Sequence, residues 1–361
     1  MKTSSPEPIF YSVPGVTLTI PVYTGHNLFN KLKSLFSFDT FSSVLVLVDE
    51  NVNKYWDKKI LEVLGKDTFY LVIKAAEKNK SLTTVEKIWT SLSQNRLDRR
   101  SLVINIGGGM ACDIGAFAAS TFMRGIPFVN VPTTLLAQAD AAIGGKTGFN
   151  FNGLKNTIGT FASPLAIISD TAFLTTLPQR EFNSGFAEII KHAIIADAQL
   201  FADLGKKKLT NLKGKELDKI LSQSTQIKCD IVKKDPYEKS DRKKLNFGHT
   251  VGHAIEMACK NKLLHGEAVA IGMIAEARVS FLSGHLSENK FRDIEKLLSN
   301  ANLPIQITAT NKKLIFEKML SDKKNVSQQI KWVFLEDIGK VMVDVVLPTE
   351  IINEGLNYIL K

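Results

Sequence analysis

Five short apolar runs, separated by segments of helical spacing, constrain the fold of this chain more than any other feature. The runs are nearly continuous in Val, Ile, Leu and Phe, which is typical of strands buried on both faces of a sheet. Between the second and third runs, residues 81–97 place Val85, Ile88, Trp89 and Leu92 at helical spacing. Strand and helix in alternation predict a parallel sheet covered by helices. The predicted strands are residues 44–48, 69–73, 102–106, 128–131 and 165–168.

The second half of the chain has a different pattern and is mostly helical. One late pair of apolar runs, residues 330–335 and 341–346, predicts a β-hairpin. We therefore predict an α/β domain over residues 1–178, followed by a mostly α-helical domain over residues 179–361. The helices predicted in the second domain are residues 181–202, 215–233, 248–259, 265–282 and 289–299.

The composition excludes several classes of protein. Of the 361 residues, 44% are hydrophobic and 23% are charged, which is ordinary for a globular protein and excludes a disordered, collagen-like or coiled-coil chain. No apolar run approaches the roughly 18 residues of a membrane span, and the segment MKTSSPEPIF lacks the apolar core of a secretory signal. The three cysteines lack C-x-x-C spacing, so we expect neither a disulfide framework nor a cysteine–zinc site. A cytoplasmic location fits these features best.

The net charge of +10, from 46 basic and 36 acidic residues, leaves three interpretations open. The positive charge could attract nucleic acid, it could attract an anionic small molecule, or it could only keep the protein soluble. The longest basic run is only three lysines, at residues 206–208, and no basic stretch is interleaved with aromatic residues. This disfavours nucleic acid and leaves an anionic small molecule as a candidate ligand.

A run of three glycines follows the third predicted strand. Gly107, Gly108 and Gly109 precede a predicted helix, and exposed backbone N–H groups at such a junction suit a pyrophosphate. The run differs from the dinucleotide fingerprint G-x-G-x-x-G because Cys112 occupies the third glycine position, while Asp113 follows directly. A tight strand-to-helix turn without a ligand is the alternative.

A second glycine segment resembles the end of a phosphate-binding P-loop. Gly144, Gly145, Lys146 and Thr147 match its last four positions, but Asp140 stands where the first glycine is required. A nucleotide triphosphatase is therefore disfavoured. An anion site at Lys146 remains plausible, with a solvated turn as the alternative.

Polar residues also follow two other predicted strands. Thr133 and Thr134 come after residues 128–131, and Asp49 ends residues 44–48. Ligands of open α/β sheets bind at the carboxyl ends of strands. These residues and the glycine run therefore predict one ligand-binding crevice at the carboxyl ends of the strands.

A histidine cluster in the second half is the strongest chemical signal. His249 and His253 are four residues apart, hence on one face of a helix, and His265 begins the next predicted helix. Three histidines with a carboxylate are typical zinc ligands. The cluster is not the protease motif H-E-x-x-H, since Thr250 replaces the glutamate, so the carboxylate must come from elsewhere. Glu188, on an apolar helix with Lys191 one turn later, is the candidate.

At these residues the chain resembles the 3-dehydroquinate synthase family of sugar-phosphate cyclases, which act in the shikimate pathway of chorismate and aromatic amino acid biosynthesis. The matches run in order over nearly the whole chain, and the most specific segments are residues 107–113, 140–156, 245–256 and 264–269. The resemblance implies a Rossmann-like NAD-binding domain followed by a helical metal- and substrate-binding domain, in a homodimer. It implies NAD and Zn²⁺ or Co²⁺ as cofactors.

The resemblance also implies a role for individual residues. It implies that Glu188, His249 and His265 are the metal ligands. His253 then acts in proton transfer, so His249 and His253 are not both ligands. The NAD residues are Asp49, Asn51, Glu77, Lys80, Gly108, Gly109, Asp113, Thr133, Thr134 and Lys155. The catalytic and substrate residues are His253, Glu238, Lys191, Asn246, Arg242, Lys228, Lys146, Asn156, Asp140 and Arg124.

Two positions depart from the family pattern. Asp235 is followed by Pro236 where the family usually has glutamate, and Ser240 replaces a usual glycine, so we expect a differently shaped loop before Arg242. The lysine that the family places on the phosphate from its C-terminal part is Lys323 or Lys324.

The implied reaction converts 3-deoxy-D-arabino-heptulosonate 7-phosphate into 3-dehydroquinate and phosphate. NAD oxidises the C5 hydroxyl transiently, phosphate leaves by elimination, the hydride returns, and an intramolecular aldol step closes the ring. The alternatives are a sister cyclase acting on another sugar phosphate, a metal-dependent polyol dehydrogenase, and a non-enzymatic NAD- or anion-binding protein. The basic residues argue against the dehydrogenase, and the metal-ligand set argues against the binding protein.

Overall fold

The computed structural model describes residues 7–12, 19–259, 262–308, 311–320 and 330–361. Its contacts group the chain into two compact units. The first unit comprises Met1–Leu177 and Gly214–Cys229, and the second comprises Pro178–Lys213 and Asp230–Lys361.

The first unit is built on a seven-stranded sheet of order β1-β2-β9-β6-β5-β3-β4, in which only the β1–β2 pair is antiparallel. A separate antiparallel hairpin, β7–β8, was not expected from the sequence. The strands are β1 (Ile9–Ser12), β2 (Thr19–Gly25), β3 (Val44–Asp49), β4 (Phe69–Ile73), β5 (Leu102–Gly107), β6 (Phe128–Pro132), β7 (Lys146–Phe151), β8 (Leu154–Phe161) and β9 (Ile167–Asp170). The helices along these strands are α1 (Leu32–Leu35), α2 (Glu50–Leu64), α3 (Leu82–Gln94) and α4 (Gly109–Thr121).

Both faces of the sheet are covered, as the continuous apolar runs predict. Successive residues of β3 point to opposite faces: Leu45 and Leu47 join the core that includes α3 and α4, whereas Val46 and Val48 join the core that includes α2. The predicted parallel α/β architecture is confirmed. The order of the strands brings the carboxyl ends of β3, β5 and β6 side by side.

The second unit is mostly helical and carries one small hairpin. Its helices are α5 (Gln179–Ala196), α6 (Ala198–Gly205), the end of α7 (Gly214–Lys234), α8 (His249–Ala258), α9 (His265–Leu282), α10 (Glu288–Asn300), α11 (Lys312–Leu320) and α12 (Thr349–Ile359). The antiparallel hairpin of β10 (Trp332–Asp337) and β11 (Lys340–Val345) matches the late hairpin predicted from the sequence. The helix predicted over residues 181–202 is instead two helices, since Asp197 leaves helical geometry (φ −147°) and accepts a hydrogen bond from the N–H of Leu200, which starts α6.

Most of α7 belongs to the first unit, which the division at residue 178 does not anticipate. Two polar contacts tie it there: the Thr171 hydroxyl donates to Asp218 Oδ1 (2.6 Å), and Lys228 Nζ lies 2.6 Å from Asp140 Oδ1. The functional boundaries of the predicted domains stay a prediction. Among the described helices, none is long and apolar enough to cross a membrane.

Candidate functional site

Asp49 organises the strand ends of the first unit. One carboxylate oxygen accepts hydrogen bonds from the N–H groups of Asn51 (3.0 Å) and Val52 (2.9 Å), which caps α2. The other oxygen accepts from the N–H of Gly108 (3.1 Å) at the start of α4. Burial raises the pKa of Asp49, and the three N–H groups oppose that shift. One side chain therefore sets the geometry of two neighbouring strand-to-helix turns.

The glycine turn after β5 is tightly packed. A Cβ at Gly108 would lie 3.1 Å from Thr134 Cγ2, and one at Gly109 would lie 3.1 Å from Ala141 Cβ. Thr133 also donates its N–H to the carbonyl of Gly107 (2.9 Å). The turn is thus packed against the segment after β6, and the N-terminus of α4 offers backbone N–H groups there.

Lys80 joins the helical and hairpin parts of the first unit. Its ammonium group, in a residue only 3% exposed, donates to Asp113 Oδ2 on α4 and Asn156 Oδ1 on β8, each at 2.5 Å. Burial raises the pKa of Asp113, while the charge of Lys80 lowers it. Glu77 accepts from the amide of Asn150 on β7 (2.8 Å). Residues predicted for NAD thus form one network with Asn156, which was predicted for substrate.

The other predicted substrate residues of this unit lie on different elements. Asp140, in a single π-helical turn over Ala137–Ala141, pairs with Lys228 of α7, and both side chains are largely buried. Lys146 is exposed at the start of β7, and Lys155 lies on β8. Arg124 is exposed after α4, in left-handed backbone geometry (φ +67°).

In the second unit, Glu188 of α5 lies at the centre of the histidine cluster. It is fully buried, and its Oε1 lies 3.4 Å from His265 Nε2 and 3.6 Å from His249 Nε2. Ligand atoms of these three residues all lie within 4.8 Å of one another. Lys191, one helical turn after Glu188 and 1% exposed, forms an ion pair with the other carboxylate oxygen. The arrangement offers one carboxylate oxygen and two imidazole nitrogens, the donors that zinc prefers.

Close helix packing brings these ligands together. A Cβ at Gly266 would lie 1.8 Å from the carbonyl oxygen of Ser184, so only glycine lets the start of α9 reach α5. The N–H of Gly266 donates to the Ser184 hydroxyl (3.0 Å) at the same contact. His265 precedes this glycine and Glu188 lies one turn beyond Ser184, so the contact places the two ligands side by side.

The two histidines at Glu188 have different partners on their second nitrogen. His249 Nδ1 lies 3.2 Å from the carbonyl of Phe247, whereas His265 Nδ1 lies 3.5 Å from the Glu256 carboxylate. Burial alone would lower the pKa of His265, but hydrogen bonds to Glu188 and Glu256 and their charges raise it to about 10.

His253 completes the aromatic cluster beside the other two histidines. Its ring centroid lies 5.1 Å from that of His249, edge to face, and 5.9 Å from that of His265. His253 is part-exposed, whereas His249 is 9% exposed. The structure therefore brings all three predicted histidines together and distinguishes their surroundings.

The loop between α7 and α8 holds three predicted catalytic residues. Glu238 Oε1 accepts a hydrogen bond from the side-chain amide of Asn246 (2.6 Å). Arg242 is 2% exposed, and its Nη1 donates to the carbonyl of Pro236 (2.5 Å). The backbone carbonyl at position 236, which any residue there would offer, thus holds the arginine.

Asp235 shapes the same loop, although no pattern in the sequence assigns it a role. Its carboxylate accepts from the N–H groups of Ser240 (2.6 Å) and Arg242 (3.1 Å). Three backbone N–H groups, including that of Lys239, oppose the effect of burial and lower its pKa. The carboxylate of Asp235 therefore holds the loop that contains Ser240.

Glu256 is a second residue of the site to which no sequence motif assigned a role. It is 5% exposed and lies seven residues after His249 on α8. The spacing of positions 249, 253 and 256 along one helical face was the available signal. The candidate phosphate ligands Lys323 and Lys324 lie outside the described residues.

Comparisons with known proteins cover both units. Residues 70–184 match the family 3-dehydroquinate synthase N-terminal, and residues 185–325 match 3-dehydroquinate synthase C-terminal. The chain belongs to the 3-dehydroquinate synthase family. A relative named 3-dehydroquinate synthase, from Ruminiclostridium cellulolyticum, is 37% identical over 90% of this chain and 92% of its own length.

Solved structures of cyclases share the fold. The chain is 26% identical to 2-epi-5-epi-valiolone synthase from Streptomyces hygroscopicus, a structure with NAD⁺ and Zn²⁺ bound, with a TM-score of 0.87 over 97% of this chain and 99% of that one. A 2-deoxy-scyllo-inosose synthase, complexed with carbaglucose-6-phosphate, NAD⁺ and Co²⁺, is 23% identical with a TM-score of 0.88 over the same shares. The predicted family and fold class are confirmed.

Proposed function

We propose that this chain is a 3-dehydroquinate synthase, an NAD- and metal-dependent lyase that converts 3-deoxy-D-arabino-heptulosonate 7-phosphate into 3-dehydroquinate and phosphate. The observation that carries the proposal is the cluster of His249 and His265 around the buried Glu188 in a chain of this family. Higher identity to a relative named 3-dehydroquinate synthase (37%) than to the two sister cyclases (26% and 23%) favours this substrate over theirs.

The donor set supports a bound Zn²⁺ or Co²⁺. Glu188, His249 and His265 supply three protein ligands, which is the number that catalytic zinc sites use while keeping a position open. A buried carboxylate with two imidazoles also fits cobalt, which accepts nitrogen and oxygen ligands. We assign these three residues to the metal.

The first unit supports NAD binding. We assign the pyrophosphate to the N-terminus of α4, where Gly108 and Gly109 form a tightly packed turn with backbone N–H groups at the helix start. The remaining residues assigned to NAD are Asp49, Asn51, Glu77, Lys80, Asp113, Thr133, Thr134 and Lys155. When bound, NAD accepts and returns a hydride and the metal polarises the hydroxyl that is oxidised.

This chain's own residues bind the anionic substrate and move its protons. Arg124, Lys146, Lys228 and Arg242 are the cations that we assign to its phosphate and carboxylate. Asp140 orients Lys228 through their ion pair (2.6 Å), and we assign Asn156, Glu238 and Asn246 to the substrate as well. Lys191 holds its ammonium group against Glu188 and so limits the negative charge of the ligand set. We assign proton transfer to His253, whose ring lies beside the ligands and is reached by solvent.

We further propose a homodimer in the cytoplasm. The family resemblance supports the dimer, and the three cysteines support a reducing compartment because all are buried and none is in a disulfide. Light scattering on the purified protein tests the dimer, and localisation of a tagged chain in its own cells tests the compartment.

The deciding experiment incubates the purified protein with Zn²⁺, substoichiometric NAD and the heptulosonate phosphate. We expect phosphate and dehydroquinate in amounts far above the NAD supplied, because the hydride returns in each turnover. Glucose 6-phosphate, the natural counterpart of the carbasugar bound to the inosose synthase, is the matched control and should release no phosphate. Net accumulation of NADH would instead support a polyol dehydrogenase.

A further inference from the structure

We propose that Glu256 is a positioning residue for the metal site: it holds the ring of His265 through Nδ1, so that Nε2 faces the metal. The proposal rests on the proposed metal function of Glu188, His249 and His265. Glu256 itself is not one of those ligands.

The geometry of His265 carries the inference. Its Nε2 lies 3.4 Å from Glu188 Oε1, and its Nδ1 lies 3.5 Å from Glu256 Oε2. A ring held between two carboxylates can bind a metal with only one nitrogen, because the other must keep its proton to donate to the second carboxylate. Glu256 therefore selects the tautomer with the proton on Nδ1.

A comparison with His249 explains why a carboxylate is needed here. His249 also turns Nε2 towards Glu188, and its Nδ1 faces the carbonyl of Phe247, two residues away on the same chain segment. His249 is nearly buried within α8, whereas the side chain of His265 is 30% exposed at the start of α9. His265, the more exposed of the two histidines, thus has the charged partner. A carboxylate accepts a stronger hydrogen bond than a carbonyl does and makes the imidazole more basic.

Burial makes Glu256 a fixed partner. Its side chain is 6% exposed, and it extends from the last turns of α8 rather than from a loop. Helices α8 and α9 pack without a gap, since a Cβ at Gly272 would lie 2.0 Å from the carbonyl of Gly248. The distance between Glu256 and His265 is therefore set by two closely packed helices.

The test measures metal affinity by competition with a chromophoric chelator, using Zn²⁺ and Co²⁺ separately. Loss of such an outer carboxylate typically costs about 10- to 100-fold in metal affinity. We expect Glu256→Ala to lose affinity in this range while still binding one ion at saturation. Glu256→Gln retains an oxygen acceptor like the one that His249 has, so we expect a smaller loss and a Co²⁺ absorption spectrum close to that of the wild type.

Ile255→Ala is the matched control. Ile255 is fully buried on the same helix, and its truncation lowers stability without removing a polar partner of His265. We expect this variant to melt at a lower temperature but to bind Zn²⁺ with wild-type affinity. An equal loss of affinity in Ile255→Ala and Glu256→Ala would overturn the proposal, since the effect would then come from helix stability.

Three other outcomes are distinguishable. Wild-type affinity in both Glu256 variants would overturn the positioning role while leaving the metal site intact. Two ions bound per wild-type chain and one per Glu256→Gln chain would also overturn it, because Glu256 would then be a ligand. No binding of either ion by the wild type would remove the proposed metal function itself. If Glu256→Ala does not fold, Glu256→Gln decides between these outcomes.

Discussion

The two units hold their candidate functional residues in different ways. In the first unit, polar groups come from strand ends and the β7–β8 hairpin and are spread from residue 49 to residue 228 along the chain. In the second unit, the ligands lie on three packed helices and converge on the single carboxylate of Glu188. Strand ends offer backbone N–H groups and separate cations, which suits extended anionic ligands. Packed helices offer side chains at short fixed distances, which suits a small cation.

We expect the largest effect from a substitution in the metal-ligand cluster of the second unit. We expect His249→Ala to abolish stoichiometric zinc binding and to lower kcat/KM by about 100-fold or more, because Lewis-acid stabilisation contributes several kcal/mol. Metal content by atomic emission and steady-state kinetics measure the two effects. NAD affinity, which we assign to the first unit, is the internal control. A variant with full zinc content would refute the ligand assignment.

The next effect concerns the exposed cation at the start of β7. We expect Lys146→Ala to lower kcat/KM for the heptulosonate phosphate about 10- to 150-fold, since a charge-assisted contact contributes roughly 1.5–3 kcal/mol. Metal content and NAD affinity should stay unchanged. Lys155→Ala is the matched variant on β8 and should affect NAD affinity instead. Near-wild-type turnover in Lys146→Ala would mean that the lysine is a solvated strand residue.

A third change tests the charge network of the first unit. Asp113→Asn keeps an oxygen near Lys80 but removes the charge, so we expect a roughly 10-fold weaker NAD affinity, equivalent to about 1.4 kcal/mol. Titration calorimetry with NAD measures the effect. Zinc stoichiometry should not change. Wild-type NAD affinity would remove Asp113 from the cofactor site.

Another change, measured as stability and not as activity or affinity, tests the close packing that the second unit depends on. We expect Gly266→Ala to destabilise the protein by about 1–3 kcal/mol, because the added Cβ would collide with the Ser184 carbonyl and force a shift. Gly205→Ala, where nothing lies within 4 Å of the added Cβ, is the control and should not destabilise. Urea unfolding gives both values. Equal stability of the two variants would contradict the packing argument.

The smallest effect is a pH dependence of the metal-free protein. The pKa of His265 is raised from 6.5 to about 10, so its protonated form stabilises the folded state fully below pH 6.5. That contribution is lost as the pH rises towards about 10, so the melting temperature of the metal-free protein should fall across this window. His265→Gln should show a flatter dependence of melting temperature on pH.

Because protons compete with zinc for the His265 ring, zinc affinity should rise with pH over the same range. A melting curve independent of pH in the wild type would contradict the pKa direction.

The sequence by itself determined the architecture of the first unit and the chemistry of the second. Continuous apolar runs predicted strands buried on both faces, and β3 has that pattern of burial because its alternate residues enter two cores. The spacing of His249 and His253 predicted one helical face, with His265 and Glu188 as further candidates, and the resemblance to the family left His253 out of the ligand set. Local periodicity and residue type carry this information because they depend only on neighbours along the chain.

Only the tertiary structure decided which polar atoms meet. It grouped most of α7 with the first unit, placed Lys228 on Asp140, and turned Nδ1 of His265 towards Glu256. It also formed the β7–β8 hairpin, whose part-exposed strands lack the continuous apolar pattern of the central sheet. These contacts join residues far apart in the chain, and they depend on close approaches such as that of Gly266 to Ser184. Packing between helices sets such approaches, and no local pattern encodes them.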